Sequence, residues 1–157
     1  MQKSKTTKLP KLKANKKRGK PSSMMEQLYG AEHAKELFDR LNHFDTELCD
    51  VTQDVAYDVF WARPGLPTRD KSLITVAALI TMGLERQTKV HMQGFLNSGG
   101  TVDELRGAIL HLAVYCGFPR AIRGFAALRE VRDALPSARR NRRPARARVR
   151  GMKTTKA

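Results

Sequence analysis

The stretch Thr101-Val-Asp-Glu-Leu-Arg-Gly-Ala-Ile-Leu-His-Leu-Ala-Val-Tyr-Cys-Gly-Phe-Pro119 decides the fold. Thr101 and Glu104 have the spacing of a capping box, in which the hydroxyl takes an amide three residues on and the carboxylate returns to the Thr amide. The apolar run behind them predicts a helix to Cys116, closed by Gly117, with Pro119 starting the next one. On a helix of about 3.6 residues per turn, Leu105, Ile109, Leu112 and Cys116 share one stripe. Glu104, Ala108, His111 and Tyr115 share the neighbouring flank. Cys116 thus belongs with the core. The His111–Tyr115 pair has the spacing of a proton-handling row, or of a half-buried histidine bonded to a tyrosine or carboxylate.

Outward from this stretch the helical period recurs and no strand alternation appears. Ser22 and Ser23 are placed to cap a helix over about Met24 to Phe44, with Leu28, Leu37, Leu41 and Phe44 on its apolar side. A second, about Thr46 to Trp61, carries Leu48, Val51, Val55, Val59 and Phe60. Arg63-Pro-Gly-Leu-Pro67 interrupts, because each proline disfavours helix in the residue before it. A third helix starts near Thr68 to Asp70, reads SLITVAALITM and stops at Gly83. A fourth runs from about Glu85 to Leu96, before Asn97-Ser-Gly-Gly100, and the last from Pro119 to about Leu135. The whole predicts an all-α domain of about six helices over residues 24–136. SLITVAALITM and AILHLAVYC have almost no polar face, and one small core cannot cover two such helices. A homo-oligomer with a large apolar interface is therefore expected.

Thirty Lys and Arg against 15 Asp and Glu give a formal net charge of +15, but the excess sits at the ends. Residues 1–23 carry nine basic residues and no acid, and residues 137–157 carry nine more and no acid. Both ends lack the apolar residues that offset chain entropy, so disordered basic tails are expected. Such tails attract polyanions in a salt-sensitive way, yet neither has an aromatic residue for base stacking, which leaves nucleic acid as a weak partner. No apolar run reaches the roughly 20 residues of a membrane span, and no hydrophobic signal segment is present. The Lys-rich start also lacks the amphipathic pattern of an organelle-targeting segment. Cys49 and Cys116 form no CxxC pair and no disulfide framework, which fits a reducing cytoplasm. The four histidines show no HxxxH or HExxH spacing, so no metal site is expected.

His91 shares its helix face with Leu84, Gln87, Thr88, Phe95 and Ser98. That is the setting of a histidine facing a pocket, or of one satisfied in the core. Arg63 and Arg69 bracket the proline-rich loop, where arginines suit bidentate carboxylate recognition or ion pairs with Asp58 or Asp70.

Arg63-Pro-Gly-Leu66, Arg69-Asp-Lys-Ser-Leu73, ITVAALITMG, His91, LNSGGTVDEL and HLAVYCGFPRA follow in an order that resembles the carboxymuconolactone decarboxylase family. The resemblance spans about residues 60–131, with loose agreement over 24–59. It implies an alkylhydroperoxidase D-like helical fold assembled into rings, trimers or hexamers, with active sites near subunit contacts. In the peroxidase branch a CxxC pair precedes the histidine. With that histidine set on His91, the cysteines would fall at Leu84 and Gln87 and a glutamate near Ser72, and none of the three is present. The thiol mechanism, which needs a resolving partner, loses its machinery. The decarboxylase branch converts 4-carboxymuconolactone to 3-oxoadipate enol-lactone with loss of carbon dioxide, without metal or organic cofactor. What it implies is catalysis by His91 and Tyr115, and a small carboxylated substrate bound by Arg63, Arg69 and His111. Lys71 stands where arginine is usual. The alternatives are a peroxidase-like activity through Cys116, and a non-enzymatic oligomer that binds polyanions through its tails.

Overall fold

The computed structural model describes residues 18–140; the disorder expected of the tails falls, for 1–17 and 141–157, outside the described residues. Within them the chain forms eight α-helices and one π-helical segment, and no strand. The first expected helix is two, α1 (Ser23–Tyr29) and α2 (Ala31–Phe44). Gly30 separates them at φ 83°, a conformation that costs glycine little and other residues more. Its N–H still closes α1 on the Glu26 carbonyl at 2.8 Å, while its own carbonyl accepts from Ala34 at 2.9 Å. The chain therefore turns with both backbone groups of Gly30 paired.

The second expected helix also changes character. Asp45 caps α3 (Thr46–Val51) by accepting from the Leu48 amide at 2.7 Å. From Thr52 to Trp61 the chain continues as a π-helix, ending with an i→i+5 bond from Ala62 N–H to the Tyr57 carbonyl, 3.1 Å. The other boundaries match the expectation closely: α4 (Thr68–Met82), α5 (Glu85–Asn97), α6 (Val102–Cys116) and α7 (Phe118–Asp133). Both arms of the α6 capping box form, Thr101 N–H to Glu104 Oε2 at 2.9 Å and Glu104 N–H to Thr101 Oγ1 at 3.2 Å. A short α8 (Ser137–Arg140) falls within the segment expected as a tail. It is held by arginines that satisfy orphan carbonyls at helix ends. Arg139 Nη2 donates to Leu96 O at 3.0 Å, and Arg140 Nε to Leu135 O at 2.8 Å.

The larger core packs Val76 and Ile80 of α4 with Phe95 of α5, Leu105 and Ile109 of α6 and Leu128 of α7. A smaller core joins Met25, Leu28 and Tyr29 of α1 to Ala34 of α2 and Tyr57 of the π-helical segment. The all-round apolar character of α4 and α6 shows on the surface, where Ile74 on α4, Val114 and Tyr115 on α6, and Phe118 and Ile122 on α7 are exposed.

Candidate functional site around His91

Between α2, the π-helical segment and the start of α5 lies a cavity of about 260 Å³. Leu37, Leu41, Phe44 and Val90 give it apolar walls, and His91, Tyr57, Gln87, Thr52, Arg40 and Arg86 supply polar groups. His91 is brought there by the phase of α5, which also places Gln87 one turn earlier.

The imidazole is packed against two aromatic rings from other elements, with a third behind one of them. Trp61 stacks on it nearly parallel, at 5.8 Å between centroids and 12° between planes. Tyr29 meets it edge-on at 5.9 Å, with its hydroxyl 3.2 Å from Nδ1. Tyr57 in turn lies edge-on to Tyr29 at 6.3 Å. Burial lowers the His91 pKa to about 4, since the imidazolium loses its hydration there. Burial also raises both tyrosines above the ordinary phenol range, Tyr29 further through its neighbour Tyr57. At neutral pH the cluster is therefore uncharged. With Nδ1 engaged by Tyr29, Nε2 is the nitrogen left for proton exchange, and the Tyr29 hydroxyl fixes the ring's orientation.

Two arginines border this uncharged cluster. Arg40 of α2 is half-buried and Arg86 of α5 exposed, and neither has a hydrogen bond or ion pair among the described residues. The arginines singled out from the sequence lie elsewhere. Arg69 bonds Asp70 Oδ1 at 3.0 Å and Glu104 Oε1, with its guanidinium 5.2 Å above the Phe95 ring. It ties the start of α4 to the start of α6, in line with the ion-pair alternative. Arg63 is exposed, 5.9 Å over the Phe60 ring, and its carbonyl accepts from Lys71 Nζ. Lys71 also bonds the Trp61 carbonyl at 2.8 Å, so this lysine fastens the loop that follows Trp61.

His111 and Tyr115 do pair, with tilted rings 5.0 Å apart, but both are exposed on α6 and neither lines the His91 cavity. Glu104 is taken by the capping box and Arg69. Cys116 packs against the larger core, as its stripe indicates, and its Sγ lies 3.1 Å from Leu112 O. Cys49 is buried, its Sγ 3.7 Å from Phe38 O. Among the described residues no group of three or more His, Cys, Asp or Glu is placed to hold a metal. No helix there is long and apolar enough to cross a membrane.

Sequence reasoning did not reach Tyr29, Tyr57, Trp61, Arg40 or Arg86. Arg86 had a signal, since it directly precedes Gln87 on the face assigned to His91. Arg40 had one too, between Leu37 and Leu41 of an apolar stripe.

The profile of the carboxymuconolactone decarboxylase family matches residues 47–130. That match takes in the π-helical segment and His91 and leaves out α1 and α2, the sources of Tyr29 and Arg40. The chain is 34% identical over 93 residues to the 4-carboxymuconolactone decarboxylase of Acinetobacter baylyi (strain ATCC 33305 / BD413 / ADP1), covering 59% of this chain and 69% of that protein. It is 31% identical over 97 residues to nitrosuccinic acid decarboxylase npaB of Metarhizium robertsii (strain ARSEF 23 / ATCC MYA-3075), covering 62% of this chain and 68% of that one.

Proposed function

Because this chain belongs to the carboxymuconolactone decarboxylase family, we propose that it is a cofactor-independent decarboxylase, of the 4-carboxymuconolactone type or acting on a similar small carboxylated molecule. The observation that carries this reading is His91, a neutral imidazole held by Tyr29 and Trp61 beside a cavity of small-molecule size. The names of the two relatives support the class, one a carboxylated lactone and the other an open-chain acid.

Loss of carbon dioxide breaks a carbon–carbon bond and leaves its electron pair on the substrate. The pair is drawn into a conjugated carbonyl and then quenched by a proton on carbon. His91 is neutral before substrate arrives, and a carboxylate brought beside it raises its affinity for a proton. The imidazole takes up a proton as substrate binds and delivers it to carbon after carbon dioxide departs. Trp61 supports the transient imidazolium through its π-face. The apolar walls disfavour an ionised carboxylate and favour its departure as a neutral molecule.

The exposed apolar residues of α4, α6 and α7 support a homo-oligomer, trimer or hexamer, that covers them. Tyr115 and His111 lie at that face, and they would join a site only across a subunit contact. Arg63 and Arg69 fit better as framework, given their positions beside Phe60 and Glu104. The free thiols of Cys49 and Cys116 support a cytoplasmic setting.

Replacing His91 by Ala is expected to lower turnover of 4-carboxymuconolactone at least about 100-fold, the scale of losing a general acid, without unfolding the protein. Turnover like that of the wild type in a folded His91→Ala variant would overturn this assignment.

A further inference from the structure

We infer that Arg40 and Arg86 form a two-point clamp for a small dicarboxylate in the cavity beside His91. The inference deepens the decarboxylase reading, and rests on it only for what happens to the molecule once bound.

Four observations lead to it. Both arginines line one cavity, from different helices, Arg40 from α2 and Arg86 from the first turn of α5. No Asp or Glu lines that cavity, so the two positive charges meet no protein anion there. The acids next to them in sequence are committed elsewhere: Asp39 pairs with Lys35 at 2.5 Å, and Glu85 with Lys89 at 3.4 Å and Arg123 at 3.5 Å. Cations elsewhere on the described chain, Arg18, Arg69 and Lys89, do find carboxylate partners. Arg40 and Arg86 are the two cations of this cavity, and neither has a carboxylate partner among the described residues.

Two cations facing one partly desolvated space raise each other's energy, and an anion placed between them relieves both. Guanidinium is the group whose planar fork fits a carboxylate with two parallel hydrogen bonds. The cavity's 260 Å³ holds the volume of about nine waters, which suits a small organic acid and is too little for a nucleotide or peptide. Two anchors on separate helices select for a second carboxylate, because a monoacid engages one arginine and leaves the other exposed to its repulsion. Bound this way, the ligand lies against the polar groups of His91, Gln87 and Tyr57 that share the lining.

Trp61 is the chain's one tryptophan and stacks on His91, which lines the cavity, so its emission reports on binding there through that contact. The full-length protein is titrated with glutarate and with butyrate, a diacid and a monoacid that do not react, following Trp61 fluorescence with calorimetry in parallel. Wild type is expected to bind glutarate more tightly than butyrate. Arg40→Gln and Arg86→Gln are each expected to weaken glutarate at least about tenfold, the scale of one lost charge-assisted pair. Arg106→Gln, an exposed change on α6, serves as the control and should bind as wild type does. Thermal melts establish that each variant is folded, and Arg40→Lys and Arg86→Lys should restore part of the affinity. The clamp is overturned if glutarate binds no better than butyrate, or if both Gln variants keep wild-type affinity. Diacid binding as described, without turnover of any carboxylated lactone, would sustain the clamp and reject the decarboxylase. Turnover with unchanged affinity in both variants would do the reverse.

Discussion

His91 sits where two influences on a proton compete. Packing against Trp61 and Tyr29 strips water from the ring and draws its pKa down to about 4, and no carboxylate among the cavity residues opposes this. Tyr29 and Tyr57 stay uncharged beside it, while Arg40 and Arg86 add only positive charge. The unfolded chain offers His91 an ordinary pKa of about 6.5. Between that pH and about 4 the unfolded chain holds a proton that the native one does not. Stability is therefore full above pH 6.5 and falls as pH drops toward 4, by up to about 3 kcal/mol from this residue. Urea unfolding of wild type and His91→Gln at pH 7.5 and pH 5 tests this. The wild type should lose more stability on acidification than the variant, and an equal loss in both would refute the burial account.

At the scale of elements, the site depends on how the π-helical segment is fastened. Asp54 on one side of it pairs with Arg18 at 2.7 Å, and Asp58 pairs with the same guanidinium. Inside, the fully buried Gln53 accepts from Ser22 N–H at 2.9 Å and donates to Met25 Sδ at 3.3 Å, locking α1 to the segment. Tyr57 then lines the cavity, while Trp61 and Tyr29 of α1 pack on His91 behind it. Gln53→Leu keeps most of the volume but leaves the Ser22 amide unpaired, at a cost of about 1–3 kcal/mol. Chemical denaturation should show that loss together with a shifted Trp61 emission, and unchanged stability would contradict the lock. The capping box, Gly83 and Gly117 made α4 to α7 legible, because each is a local signal with a fixed backbone consequence. The break at Gly30 was not, since one glycine inside a helical pattern also reads as tolerated. Nor was the π-helix, whose apolar residues still fit a 3.6-residue period. Helix phase left His91 either facing a pocket or satisfied in the core, and the structure places it at a cavity. Its partners Tyr29, Tyr57, Trp61 and Arg40 come from elements whose mutual placement is tertiary, and the pull of Glu104 on Arg69 is equally invisible in one dimension.

On the scale of the whole molecule, basic ends and exposed apolar side chains are the two surface features that matter. The basic residues nearest the body fold back onto it, Arg18 onto Asp54 and Asp58 and Arg139 onto the end of α5. The other feature is a set of exposed apolar side chains, with Val114 81% and Phe118 73% exposed, which supports the homo-oligomer proposed above. Light scattering on the purified protein should give a mass above that of the 17.7 kDa chain. Val114→Asp with Ile122→Asp should shift that mass toward the monomer. A wild-type monomer at micromolar concentration would contradict this part of the account.

The central claim is that the family's decarboxylation is carried out here by a proton held on His91. Its most direct measurement is carbon dioxide released per mole of 4-carboxymuconolactone consumed, for the wild type and for folded His91→Ala side by side. The account predicts one carbon dioxide per lactone from the wild type and a rate lower by about 100-fold or more in the variant. Equal rates in the two proteins, or lactone consumed without carbon dioxide, would contradict it.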